Sequence, residues 1–204
     1  MITMKIKVNF FEEILGTANS NPEIHKEYIA SNGPDALTLQ EEVEAIGTDE
    51  TFEKQMTVFP RDKDGNPIVW DYQWRGLFKD SMSALRKIPG TACGKIKAYK
   101  KDIDGLIFVE PRKIPIQVNG EMGICQRPLR ASTPQGERVA LASSESIPEG
   151  STMTFEIRML NDDYEKAIIE TLNYGKYKGF GQWRNSGKGR FTWELLERKQ
   201  EAYI

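Results

Sequence analysis

The chain has 204 residues, 39% hydrophobic and 28% charged, with a formal net charge of −2. That length suits one domain with insertions and is enough to bury a core without disulfide or metal staples. No apolar run reaches membrane-spanning length and the first residues lack a secretory h-region. The two cysteines, Cys93 and Cys125, form no ligand cluster, so a reduced, cytoplasmic protein with no membrane partner is expected.

The charge is unevenly spread. Residues 17–58 hold nine acids (Glu23, Glu27, Asp35, Glu41, Glu42, Glu44, Asp49, Glu50 and Glu53) against Lys26 and Lys54, which puts this segment at −7 and the remainder at +5. A basic body with an acidic insertion attracts anions on one face and repels them on another. A solvated helical insertion with no partner accounts for the same charges.

In chain order, residues 5–10 alternate polar and apolar and predict a first strand that closes near Gly16. Two short helices are expected over 22–30 and 37–46, with Pro22 in a first turn and Gly33-Pro34 and Gly47 as stops. Residues 62–67 (Asp-Lys-Asp-Gly-Asn-Pro) form a turn; the later ligands of a calcium loop are absent. From Asp71, a candidate N-cap, the stripe Trp74, Leu77, Phe78, Met82 and Leu85 predicts an amphipathic helix that Pro89-Gly90 ends.

Strands are expected over 95–100, 106–110 and 113–118, with a hairpin turn at Asn119-Gly120. A second hairpin spans 124–141 around residues 134–136, with Arg127, Arg130 and Arg138 on or beside it. Residues 152–159 alternate as a further strand. Asn161 or Asp162 caps a helix over 163–174 that Gly175 stops. A last strand over 190–196, with Phe191, Trp193 and Leu195 on one face, leads into a polar tail.

Between that helix and that strand lie residues 175–190, Gly-Lys-Tyr-Lys-Gly-Phe-Gly-Gln-Trp-Arg-Asn-Ser-Gly-Lys-Gly-Arg, with five glycines, five basic residues and no acid. Lys176, Lys178, Arg184, Lys188 and Arg190 supply charge, and Tyr177, Phe180 and Trp183 supply flat faces. N–H groups freed by Gly179, Gly181, Gly187 and Gly189 suit an anion nest. These are the ingredients of a single-stranded nucleic-acid or nucleotide surface. A Gly-rich connection whose aromatics fill the core fits the same residues.

The strongest elements run strand, helix, two strands, helix, strand. This is an α+β, ferredoxin-like (RRM-like) βαββαβ plan in one domain, 1–204, with a helical insertion over 17–58 and a hairpin-rich insertion over 119–150. Catalytic patterns are missing: the single histidine, His25, falls in the acidic insertion, and no nucleophile elbow, zinc or P-loop motif occurs. The Gly-rich loop follows a helix and precedes a strand, the reverse of a Rossmann fingerprint. No catalytic residue, metal or cofactor is assigned.

Several separated motifs resemble the RAMP superfamily of CRISPR effector complexes, especially type III backbone subunits. Residues 5–16 look like its first strand running into a glycine. Residues 64–79 (Asp-Gly-Asn-Pro-Ile-Val-Trp-Asp-Tyr-Gln-Trp-Arg-Gly-Leu-Phe-Lys) are similar to its segment entering the first helix. Residues 127–150, ending Glu-Ser-Ile-Pro-Glu-Gly, look like its hairpin and following turn, and 175–190 resembles its glycine-rich loop. The resemblance implies RNA binding and places Arg75 and Lys79 near that loop. It departs at Trp70-Asp71-Tyr72-Gln73, where the family has Pro-Gly-Ser-Ser, and at the early loop that carries a catalytic aspartate in RNA-cutting members. Cleavage is therefore not carried over.

Two functions are expected. One is a non-catalytic RNA-binding protein, assembling with CRISPR subunits or with copies of itself. The other is a phage-encoded anti-defence protein that mimics a CRISPR subunit or sequesters a small nucleotide signal.

Overall fold

The computed structural model describes residues 1–19, 56–133 and 136–202, with the side chains of 129–140 outside that description. The expected helices over 22–30 and 37–46 also lie outside the described residues. The main sheet has the order β11 (Phe191–Gln200), β1 (Ile2–Phe10), β10 (Thr152–Met159), β7 (Lys113–Gln117), β5 (Ile68–Trp70), and β6 (Ile107–Glu110) also pairs with β10. All of these pairings are antiparallel. Between these strands come helices α1 (Asp71–Leu85), α2 (Tyr99–Leu106) and α3 (Glu165–Lys178).

Strict alternation along β1 buries Ile2, Met4, Ile6, Val8 and Phe10, and β10 buries Met153, Phe155, Ile157 and Met159 in the same core. Helices α1 and α3 lay their apolar stripes on that face: Trp74, Leu77, Phe78 and Met82 from α1, and Ala167, Ile168 and Leu172 from α3. Ion pairs run across the opposite face, Lys7 with Glu194 at 3.9 Å and Arg158 with Glu110 at 3.0 Å. Its exposed aromatic is Phe108 on β6, so this face lacks the stacking platform that RRM domains present to RNA.

A smaller sheet sits beside the first. In it β2 (Ile14–Leu15), β4 (Met56–Val58) and β8 (Gly123–Thr133) pair with β9 (Gly136–Ile147), and β3 (Ala18–Asn19) pairs with β4. The β3–β4 pairing, with Ala18 opposite Val58, brings the two ends of the acidic segment together. Glu145 ties this sheet down. Its carbonyl accepts from the Gly16 N–H at 2.8 Å, and its buried carboxylate accepts from the Phe59 N–H at 2.8 Å and pairs with Arg61. The acid of the Glu-Ser-Ile-Pro-Glu-Gly motif is therefore structural.

Several local expectations need correction. Residues 95–100 are not a strand: Cys93–Lys95 forms a 3-10 turn and α2 follows, because Tyr99 and Ile103, four apart, both bury against the core. The N-cap of α1 is Trp70, whose N–H donates to Gln73 Oε1 at 2.9 Å; Asp71 lies in the first turn and pairs with Arg75. Asn161 opens the turn before α3, its side chain accepting from the Asp163 N–H at 3.0 Å. Gly175 does not stop α3, which continues to Lys178. A Cβ on Gly175 would stand 2.1 Å from the Phe191 ring, so this glycine is a packing notch for β11. The last strand continues to Gln200 against β1, with a register shift opposite Lys5 and Ile6 that leaves Leu195 and Leu196 half exposed.

The turn at 62–67 satisfies itself. Asp62 accepts from the N–H groups of Asp64 and Asn66 and from the Asn66 side chain, whose hydrogen bond leads the causes holding this carboxyl below its ordinary pKa.

Glu170 on α3 accepts from the N–H groups of Ala92 and Cys93, at 2.8 and 3.0 Å, and so pins the α1–α2 connection. Burial works to raise its pKa, but the hydrogen bonds from Cys93 and Ala92 outweigh it and the net shift is downward. Burial first, then the Glu170 carboxylate, pushes the Cys93 thiol up to about 12. A depressed carboxylate contributes stability above its unfolded pKa and loses it as pH falls through the folded value. Glu170→Gln is therefore expected to lower Tm at pH 7. The deficit should close below the ordinary glutamate pKa of about 4.3, as thermal unfolding at a series of pH values will show. A deficit independent of pH would mean the charge is not what stabilises.

Candidate nucleic-acid interface

Beyond the end of α3, residues 179–190 of the Gly-rich segment form a closed Ω-loop with a narrow neck. Phe180 donates its N–H to the Gly189 carbonyl at 2.8 Å, and Gly189 donates to the Glu13 carbonyl at 2.8 Å. The neck requires glycine: at Gly179 (φ 75°) a Cβ would lie 2.2 Å from the Lys188 oxygen, and at Gly189 (φ 68°) it would lie 1.9 Å from the Phe180 oxygen. Phe180 plugs the loop into the core, 3% exposed and 4.6 Å from the Trp74 ring. It is a core anchor and offers no stacking face.

Beyond the neck the loop opens. The N–H groups of Gly179, Gly187 and Gly189 are used internally. Among the described residues no backbone carbonyl accepts from the N–H groups of Gly181 to Asn185, and these residues line an open depression of about 440 Å³. Three of the four glycines expected to free N–H groups for an anion nest, Gly179, Gly187 and Gly189, therefore have theirs engaged. Next to the depression a groove of about 290 Å³ runs between the loop and α1, lined by Gln73, Gly76, Asp80, Gly181 and Arg184 and closed by Thr17, which accepts from the Gln73 side chain at 2.8 Å.

The structure therefore puts the loop beside α1, but five of the eight expected cations whose side chains are described already hold an acid. Arg184 donates to Asp80 at 2.7 Å and Lys178 lies 3.5 Å from the same oxygen. Lys188 pairs with Glu13, and that hydrogen bond leads the causes raising its pKa. Arg75 pairs with Asp71 at 2.9 Å and Lys79 with Asp104. Lys176 lies exposed at the end of α3, its ammonium 5.0 Å from the centre of the Tyr177 ring. Arg190 packs its guanidinium against Gly187, and its Nε has no hydrogen-bond partner among the described residues. Arg130 and Arg138 stand opposite Val139 and Ala131 in the β8–β9 ladder; their side chains are outside the described residues.

Arg127 differs from the others. It is 5% exposed, its guanidinium lies 3.0 Å from the centre of the Trp183 ring, and Nη2 donates to Gln182 Oε1 at 3.3 Å. Burial pulls its pKa down to about 10, against the smaller opposing effects of Cys125 and Glu13. Asp80 and Glu13, the counter-ions that shape this surface, were missed by sequence reasoning: they lie 104 and 175 residues from their partners.

No protein-family model matches the sequence, and no curated protein does. The fold has solved counterparts among CRISPR effector complexes. A chain from a type III-B Cmr-beta complex bound to cognate target RNA is 11% identical with a TM-score of 0.54, over 97% of this chain and 60% of that one. A chain of a type IV-B CRISPR complex is 11% identical with a TM-score of 0.51, over 100% of this chain and 94% of that one. The chain spans about three fifths of the first neighbour. At these identities the likeness is one of fold. Among the described residues no helix is long and apolar enough to cross a membrane.

Proposed function

We propose that this chain is a non-catalytic RNA-binding protein of the RAMP kind, built as one domain on a ferredoxin-like core. It holds a single strand by its phosphate backbone in the groove between the Gly-rich loop and α1. The strand order β11-β1-β10-β6/β7, with helices after β1 and β10, supports the ferredoxin-like reading. The observation that carries the RNA reading is the row of N–H groups from Gly181 to Asn185, to which no backbone carbonyl of the described residues is bonded, beside a groove edged by Arg184. Guide RNA and neighbouring CRISPR subunits, or further copies of this chain, are the partners that follow from it.

The pairing pattern sets the salt dependence. Arg127, Lys176 and Arg190 are the site cations, among those whose side chains are described, with no carboxylate partner shown, so about three phosphates are neutralised without breaking an ion pair. Each contributes a slope of about −0.7 on single strands, and log K against log salt should fall with a slope near −2 between about 50 and 200 mM. Fluorescence anisotropy with a labelled oligouridine measures it. An absence of binding at low salt sinks the reading, and a slope steeper than about −5 moves the contacts off this surface.

A second reading, an anti-defence mimic of a CRISPR subunit, is favoured by the neutralisation of Arg184, Lys178, Lys188, Arg75 and Lys79 by acids. An RNA-free preparation that captures a purified type III complex would select it.

A further inference from the structure

Arg127 and Trp183 form a pair that the cation–π contact between them only partly explains. Elsewhere arginines meet carboxylates: Arg61 with Glu145, Arg75 with Asp71, Arg184 with Asp80, Arg198 with Glu165. Arg127 is more buried than any of these, yet its only hydrogen-bond partner among the described residues is the neutral side chain of Gln182, and its Nε and Nη1 have none. A buried guanidinium with two unpartnered nitrogens, carrying three N–H groups between them, destabilises a fold, and an apolar side chain of similar length there is neutral or stabilising.

The cover over it is unusual too. Trp183 is the one non-glycine among the described residues with a positive φ, 54°, a left-handed conformation that costs a bulky residue free energy. Positive-φ glycines flank it at 181 and 187, and Trp183 is among the residues that line the open depression of 181–186. Two costly features thus face each other: a buried charge with no carboxylate partner among the described residues, and a strained aromatic over it.

We propose that Arg127 is a latent phosphate site, capped in the free protein by the Trp183 indole. On binding, a nucleotide phosphate takes the unsatisfied guanidinium N–H groups, and the indole leaves the arginine to stack on the neighbouring base. The ligand then supplies the anion that the described residues do not, and guanidinium with phosphate makes the strong charge-assisted, two-pronged hydrogen bond that Gln182 cannot supply. The indole exchanges one flat partner for another, and base–aromatic stacking tolerates any sequence. This rests on the RNA-binding reading above and adds to it a gated subsite.

The test uses the full chain, a labelled oligouridine and two variants. Arg127→Met is expected to raise Tm by about 3 °C, since a destabilising charge has gone, and to weaken RNA binding at least tenfold. A structural arginine would give the opposite pattern, a lower Tm with affinity unchanged, and that result overturns the inference. Tryptophan emission gives a second readout that does not depend on how Arg127→Met folds. RNA should change the emission of the native protein, and the change should be absent in Trp183→Phe. Tight RNA binding with no emission change from Trp183 overturns the subsite while leaving the RNA reading intact. Failure of the native protein to bind RNA removes both.

Discussion

Replacing Trp74 with alanine is expected to cost about 4 kcal/mol, a large share of the roughly 5–15 kcal/mol that holds a domain together. Trp74 is fully buried where α1, the sheet and the Gly-rich loop meet. Its ring centre lies 4.4 Å from that of Phe155, 4.6 Å from Phe180 and 5.5 Å from Phe191. Truncation opens a cavity in contact with all three and removes aromatic pairs worth about 0.5–1.5 kcal/mol each beyond their area. The Phe180 contact links core to site: without it the loop loses the ring that seats it, and RNA affinity should fall with stability. Trp74→Phe keeps a ring and removes an indole N–H that has no partner among the described residues, so it should cost less than half as much. Urea unfolding of both variants decides the matter, and a Trp74→Ala cost under about 1.5 kcal/mol would show that the junction packs without it.

Gly189→Ala is the second large effect, about 3 kcal/mol together with loss of the loop's shape. Two costs add. Forcing a non-glycine residue to φ 68° costs about 1–2 kcal/mol. The new methyl must also displace a backbone oxygen that stands 1.9 Å away. That oxygen belongs to Phe180, whose N–H is bonded to Gly189, so the neck has to open. Gly65→Ala serves as the control. Gly65 has φ 82° and nothing within 4 Å of a Cβ, so it carries the dihedral cost alone. If the two variants prove equally stable, the close approach in the neck is not what requires glycine at 189.

The two variants separate what the sequence shows about this loop from what it conceals. Five glycines in sixteen residues announce a tightly folded segment, and four of them do take positive φ. The fifth, Gly175, looks like a helix stop but sits inside α3, because its reason for being glycine is a ring sixteen residues later. The aromatics divide in the same way. Tyr177, Phe180 and Trp183 are alike on paper, yet the fold buries Phe180, leaves Tyr177 exposed and lays Trp183 on an arginine.

Period and punctuation in the chain determined the order of elements. Alternation gave β1 and β10, the stripe from Trp74 to Leu85 gave α1, and the glycines marked the loop, because each signal is set by residues within a turn or two of one another. Charge at the site was decided elsewhere. Whether Arg184 and Lys188 are free depends on Asp80 and Glu13, and whether Arg127 is buried depends on where β8 meets the loop. Ion pairing and desolvation act through space, so only the tertiary arrangement settles which cations keep their charge for a ligand.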